Sequence, residues 1–254
     1  MQDTIFRYNE SMKQEHTEIV NGVRVTKAGN KDNYPLLYLH PTGHPPENLN
    51  HIQLLAEENF VIAPNYYDLI SKTPKLTNTN ILVTLESTIT DIPKAVVGSS
   101  IGAALSLLYA SKHPELDFCL AASPVGLDLK RRWVKWLYHF GVMHAKAIKA
   151  PRELRGLDDG LKLMTREFRK NPKAVMRGLH FAKEINIEQE LSEIKVPTSI
   201  IVGENDNFIP EKTVGLKMAE LILSSTAEVV SPYGHLWYVY QPEIIANWVK
   251  KLKK

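Results

Sequence analysis

Gly98-Ser99-Ser100-Ile101-Gly102 follows the apolar run Lys94-Ala95-Val96-Val97 and opens into the small-residue stretch Ala103-Ala104-Leu105-Ser106-Leu107-Leu108. The order strand, tight turn, helix with a G-x-S-x-G turn reads as a nucleophile elbow. The sharp reversal strains the middle residue and leaves room only for glycine or another small residue two places before and after it. Ser100 then stands at the carboxyl edge of a sheet. A serine hydroxyl is a poor nucleophile at its own pKa, so this reading requires a histidine base and a carboxylate to orient it.

Both occur downstream in the order nucleophile, acid, base. Asp206 ends the apolar strand Thr198-Ser199-Ile200-Ile201-Val202-Gly203 through Glu204-Asn205, and Pro210 is placed to start the following helix. His235 follows the strand and loop Ala227-Glu228-Val229-Val230-Ser231-Pro232-Tyr233-Gly234. Three polar residues at the C-terminal ends of predicted strands converge on one rim of a parallel sheet, where α/β folds place their chemistry.

The elbow around Ser100, the G-x-x-D-x-x-x-P stretch from Gly203 to Pro210 and the Gly234-His235 pair resemble the α/β-hydrolase superfamily over nearly the whole chain. The resemblance implies an α/β fold: a mostly parallel central sheet, helices on both faces, and a helical cap inserted after the sixth strand. Residues 1–123 and 196–254 would form the core and 124–195 the cap, as one structural unit. It also assigns Leu36-Leu37-Tyr38-Leu39-His40-Pro41-Thr42-Gly43 to the strand and His-Gly-type loop that supplies half of an oxyanion hole. Here proline replaces the usual glycine at position 41 and has no N–H to donate. The expected donors are therefore the N–H groups of Thr42 and Ile101, with Gly43 in reserve and His40 bracing the loop.

The remaining pattern agrees with one α/β domain of 254 residues. A hairpin over residues 17–28 is predicted to turn at Asn21-Gly22, followed by strand 35–40. Helix Asn48–Asn59, strand Phe60–Pro64, a helix near Thr79–Thr90, strand 94–98, helix 100–112 and strand 117–122 come next. After the interruption, strand 198–203, helix 211–223, strand 227–230 and terminal helix 241–253 complete the alternation, which implies a mostly parallel sheet. The N-terminus lacks a basic n-region and an apolar h-region, and no apolar run is long enough to span a bilayer, so a cytoplasmic protein is expected. The single cysteine, Cys119, lies in an apolar strand and reads as an inert buried thiol.

Charge is unevenly distributed. Lys130 to Lys183 carries 15 Lys or Arg against four acids (Glu153, Asp158, Asp159, Glu167), leaving 16 basic and 24 acidic residues elsewhere: +11 against −8 in a chain of +3. Such a cap would steer anionic substrates or rest on an acidic membrane surface; the plainer reading is a solvated set of amphipathic helices. Trp133, Trp136, Leu137 and Phe140 share one helical face and read as cap core or pocket wall before lipid contact. His40 and His44 lie on a proline-rich loop without a completing ligand cluster, so no metal is expected. His139, His144 and His180 fall in the cap and His113 at the end of the elbow helix. Glu204 and Asp128 are the rival acids, and Ser99 is misplaced for the elbow. Without a P-loop, a dinucleotide fingerprint or a nucleic-acid motif, no cofactor and no nucleic-acid partner are expected.

These residues point to cleavage of a carboxylic ester through an acyl-enzyme, by a carboxylesterase or monoacylglycerol-type lipase acting on a small acyl substrate, anionic or lipid-like. Ser100 would be the nucleophile, His235 the base and Asp206 its orienting acid. Two alternatives stay open: carbon–carbon hydrolysis of anionic β-diketone-like substrates on the same triad, and a noncatalytic ligand-binding role. Monomer and homodimer are equally compatible with the sequence.

Overall fold

Asn21 and Gly22 both adopt positive φ, 51° and 79°. This is the twist a two-residue hairpin requires, and asparagine and glycine tolerate it best. They join β1 (Glu15–Val20) to β2 (Val23–Ala28) at the turn expected from the sequence, with Val20 opposite Val23. The computed structural model describes residues 15–46, 50–127, 165–206 and 212–253. Across them runs an eight-stranded sheet in the order β1-β2-β4-β3-β5-β6-β7-β8. The later strands are β3 (Tyr34–Leu39), β4 (Asn59–Pro64), β5 (Ala95–Ser99), β6 (Phe118–Ala122), β7 (Thr198–Gly203) and β8 (Ser225–Val230). From β4 to β8 every pairing is parallel, while β2 runs antiparallel to β1 and β4.

Central strands are buried on both faces, as parallel strands covered by crossover helices must be. Successive residues therefore feed two cores. Val96, Cys119 and Ala121 join one that includes α2 (Tyr66–Lys72), α3 (Asn78–Glu86) and α4 (Ile101–Lys112). Ala95, Val97, Phe118 and Leu120 join the other, with α1 (Asn50–Ala56) and residues from the C-terminal end of the chain. Burial alone pushes the Cys119 thiol pKa up, which makes it the inert thiol expected.

The predicted alternation holds, with element ends displaced by a few residues, and outside the insertion two short helices are additional, Tyr66–Lys72 and Trp237–Tyr240. α2 is seven residues long and two of them are tyrosines, too short and too aromatic for a periodic signal. Its cap was the available clue: the Asn65 side chain accepts from the N–H groups of Tyr67 and Asp68, and Asp68 itself lies in the first turn. Between β6 and β7 the described residues include α5 (Pro172–Glu184) and α6 (Glu188–Leu191). Most of the expected cap, including the Trp133 to Phe140 stripe, His139, His144 and Asp128, lies outside the described residues. After β7 come α7 (Lys212–Leu221), then α8 (Trp237–Tyr240) and α9 (Pro242–Leu252) following β8. Among the described residues no helix is long and apolar enough to cross a membrane.

The join between β5 and α4 is tightly packed. A Cβ on Gly102 would lie 1.9 Å from the Leu39 carbonyl oxygen, and one on Gly98 would lie 2.2 Å from the Gly102 oxygen. These are backbone neighbours that cannot rotate away. Gly102→Ala is expected to cost about 3 kcal/mol, read as a lowered urea midpoint; an unchanged midpoint would show that α4 slides freely on β3.

Candidate active site

At the corner between β5 and α4, Ser100 sits at φ 55° and ψ −116°, outside the regions that residues with a side chain normally occupy. Such a conformation costs about 1–3 kcal/mol and persists only when its surroundings enforce it. Here the Ser100 N–H donates to Ala122 O at 2.8 Å, its carbonyl accepts from Ala104 at 3.2 Å, and the two flanking glycines admit the close approach. The strain places Oγ beyond the sheet edge rather than in the α4 ladder.

His235 meets that hydroxyl, its Nε2 lying 3.0 Å from Ser100 Oγ, while its Nδ1 lies 2.7 Å from Asp206 Oδ2. An Nδ1–H donating to the carboxylate leaves Nε2 free to accept the serine proton, the tautomer a base needs. Ser100, Asp206 and His235 are 5%, 7% and 5% exposed, so the chain of hydrogen bonds runs where water competes little. Backbone bonds hold the acid and base loops together: Glu204 N–H donates to Val230 O, and Asn205 N–H to Tyr233 O, both at 2.9 Å. A side chain at Gly203 would come within 2.6 Å of Tyr233 O, so glycine is needed for the two loops to touch.

Opposite the elbow, Pro41-Thr42-Gly43-His44 makes a turn in which Gly43 has φ 86°. His40 is fully enclosed, with Nδ1 2.8 Å from Pro41 O and Nε2 accepting from the Tyr66 N–H at 2.7 Å. Nε2 accepts, so Nδ1 carries the proton and donates to Pro41 O. In a trans peptide the N–H points opposite to the carbonyl, so this bond also sets the direction of the Thr42 N–H. The Gly43 N–H is engaged by Tyr67 Oη at 2.7 Å, which removes the reserve donor. Among the described residues, no acceptor is bonded to the Thr42 or Ile101 N–H.

No family model and no curated protein matches this sequence. Solved structures do match. A putative lipase from Acinetobacter baumannii AYE superposes with a TM-score of 0.73 at 18% identity, covering 94% of this chain and 92% of that one. The enol-lactonase from Burkholderia xenovorans LB400 gives 0.73 at 16%, covering 93% and 99%. A meta-cleavage product hydrolase from Pseudomonas fluorescens IP01 gives 0.71 at 14%, covering 93% and 96%. The chain has the α/β-hydrolase fold.

Within this hydrolase fold the rival residues point elsewhere. The Glu204 carboxylate accepts from Ser231 Oγ, and Ser99 Oγ is buried 3.2 Å from Tyr38 Oη. His113 stacks on Tyr109 at the end of α4 with Glu86 and Glu115 beside it, and His180 is exposed on α5. Sequence reasoning missed the supports. Ser123, at φ 48° just past β6, accepts from Trp237 Nε1 at 3.0 Å and so anchors the chain two residues beyond His235. Tyr238 stands edge-on to the His235 ring, centroids 5.9 Å apart. A polar residue ending a buried strand on the catalytic rim was the signal for Ser123.

Burial pushes the His40 pKa down to about 4, only partly offset by the Pro41 bond. His40 is therefore neutral in the folded chain, whereas in the unfolded chain it takes up a proton as pH falls through about 6.5. The unfolded state binds the extra proton, so His40's contribution is intact above about pH 6.5 and is lost progressively towards pH 4, about 3 kcal/mol in all. Urea midpoints measured between pH 7 and pH 4 should show this loss in wild type and a shallower one in His40→Gln. Equal slopes would mean that His40 is not the group responsible.

Proposed function

We propose that the chain is a serine hydrolase that cleaves a carboxylic ester of a small acyl substrate through an acyl-enzyme. The observation that carries the reading is the continuous, buried hydrogen-bond chain from Ser100 Oγ through His235 to Asp206, with the serine held in a strained corner. Ser100 Oγ attacks the carbonyl carbon while His235 Nε2 takes its proton. Nε2 then passes that proton to the departing alkoxide as the carbon–oxygen bond breaks. Asp206 holds the imidazole in its tautomer and stabilises the imidazolium. Water attacks the acyl-enzyme carbonyl, gives its proton to His235, and the released Ser100 oxygen recovers it as the acid departs.

The Thr42 and Ile101 N–H groups would receive the oxyanion in both steps, each worth about 10²–10³ in rate. Their support is the lack of any other acceptor among the described residues and the two bonds that pin the turn around Thr42. The basic stretch Lys130–Lys183 favours anionic acyl compounds among candidate substrates.

Burst kinetics with p-nitrophenyl acetate, butyrate and octanoate, followed by fluorophosphonate labelling and mass spectrometry, test the proposal. A burst and a single adduct on Ser100 are expected. A labelled Ser100 that turns over dioic β-diketones but no ester would move the assignment to carbon–carbon hydrolysis. With neither burst nor adduct, the hydrolase reading fails and the ligand-binding role replaces it.

A further inference from the structure

Three consecutive residues of α2 connect the oxyanion turn to the helices returning from the insertion between β6 and β7. On the catalytic side, the Tyr66 N–H holds His40 Nε2 and so aims the Thr42 N–H, while Tyr67 Oη holds the Gly43 N–H. The peptide planes on both sides of Thr42 are thus fixed by residues 66 and 67. On the far side, Tyr66 Oη donates to Gly178 O on α5 at 2.8 Å. A Cβ on Gly178 would come within 2.9 Å of the Tyr66 ring, so glycine permits this approach.

Asp68 makes the second connection. Arg24 on β2 donates to both Asp68 oxygens, at 2.7 Å and 3.2 Å, and also to Glu167 Oε2 at 3.2 Å. Glu167 is only 3% exposed, with Lys170 3.7 Å away. A carboxylate buried this deeply is stable only while its cations stay in place. The helical segment ending at residue 170 is therefore seated against α2 through a charge relay that swinging away would break.

We propose that the first turn of α2 couples the seating of segment 165–184 to the geometry of the oxyanion turn, with Tyr67 as the positioning residue. This rests on the hydrolase reading above. Removing the Tyr67 hydroxyl frees the Thr42–Gly43 peptide to rotate, which misaims a donor that acts in the transition state while leaving substrate binding alone. Glu167 acts one step further out, by holding the segment against Arg24 and Asp68.

The test compares wild type, Tyr67→Phe, Glu167→Gln and the double variant on p-nitrophenyl butyrate, together with affinity for a trifluoromethyl ketone that adds to the serine as a tetrahedral oxyanion. Tyr67→Phe keeps the ring, and is expected to lower kcat about tenfold with KM within about twofold, and to weaken the ketone by the same factor. Fluorophosphonate should still label Ser100 fully. Glu167→Gln should shift both readouts in the same direction by about threefold, and the double variant should fall short of the product of the singles. A merely structural role would lower the urea midpoint without moving kcat or ketone affinity, and that result overturns the proposal. So does a Tyr67→Phe effect that Glu167→Gln fails to share. If Tyr67→Phe does not fold, Glu167→Gln in the same two assays decides. A wild type that takes no adduct on Ser100 overturns the hydrolase reading and this coupling with it; a labelled wild type matched by its variants overturns the coupling alone.

Discussion

Ser100→Ala is expected to lower kcat on a p-nitrophenyl ester by about 10⁶-fold, to the level left by the oxyanion donors and binding. Substrate affinity and the urea midpoint should be little changed, or the midpoint slightly raised. The reason is local: Oγ lies 3.0 Å from His235 Nε2, and alanine keeps the backbone bonds of the corner while removing the group proposed to form the acyl bond. The φ of 55° disfavours any side chain, and alanine fits it no worse than serine. A variant retaining more than about 10% of wild-type turnover would remove Ser100 from the mechanism.

Asp206→Asn should follow with a loss of about 10⁴-fold, the size such a replacement has in a well-studied serine protease. The amide is the same size as the carboxylate, so packing is kept. Its NH₂ can face His235 Nδ1, which then accepts, moves the proton to Nε2 and leaves no lone pair for the serine proton. At 2.7 Å the existing bond is short enough for the change to be felt directly. Activity that recovers at alkaline pH in Asp206→Asn would fit attack by a serine ionised without help from the base. Loss of less than about tenfold would point to another acid, and Asp128 is the next to replace.

Much of this was legible from local pattern. The elbow could be read because the steric demand of a strand-to-helix corner falls on neighbouring residues, Gly98, Ser100 and Gly102, and so leaves a compact trace in sequence. Asp206 could be read because it closely follows a buried apolar strand, and His235 because a Gly-His pair follows a strand and loop in the order the elbow requires. The expectation for Thr42 combined the resemblance of its loop to an oxyanion loop with the missing N–H of Pro41. What escaped was information carried by tertiary contact. Tyr66 and Tyr67 look like ordinary core aromatics, and their roles depend on which backbone groups the folded chain brings to them, 26 and 24 residues away. The partners Ser123 and Trp237 are 114 residues apart, and Arg24 and Glu167 are 143 apart, beyond the reach of any periodicity. α2 was missed because its stability comes from burial and an asparagine cap rather than from helical propensity.

The separation of Ser100 from His235 by 135 positions has a consequence for how the molecule matures. The strand that leads to Ser100 is central in the sheet, while Asp206 and His235 follow the last two described strands, with β6 between these and β5. An intermediate with β1 to β6 paired would have a finished corner at Ser100 and no His235 beside it. Closing so long a loop is entropically slow and is rewarded only when β7 and β8 dock. If the chain turns over an ester as proposed, turnover is a gauge of completed assembly: regain of activity would register the final strands locking into register, whereas regain of helix signal would register whatever has formed before them.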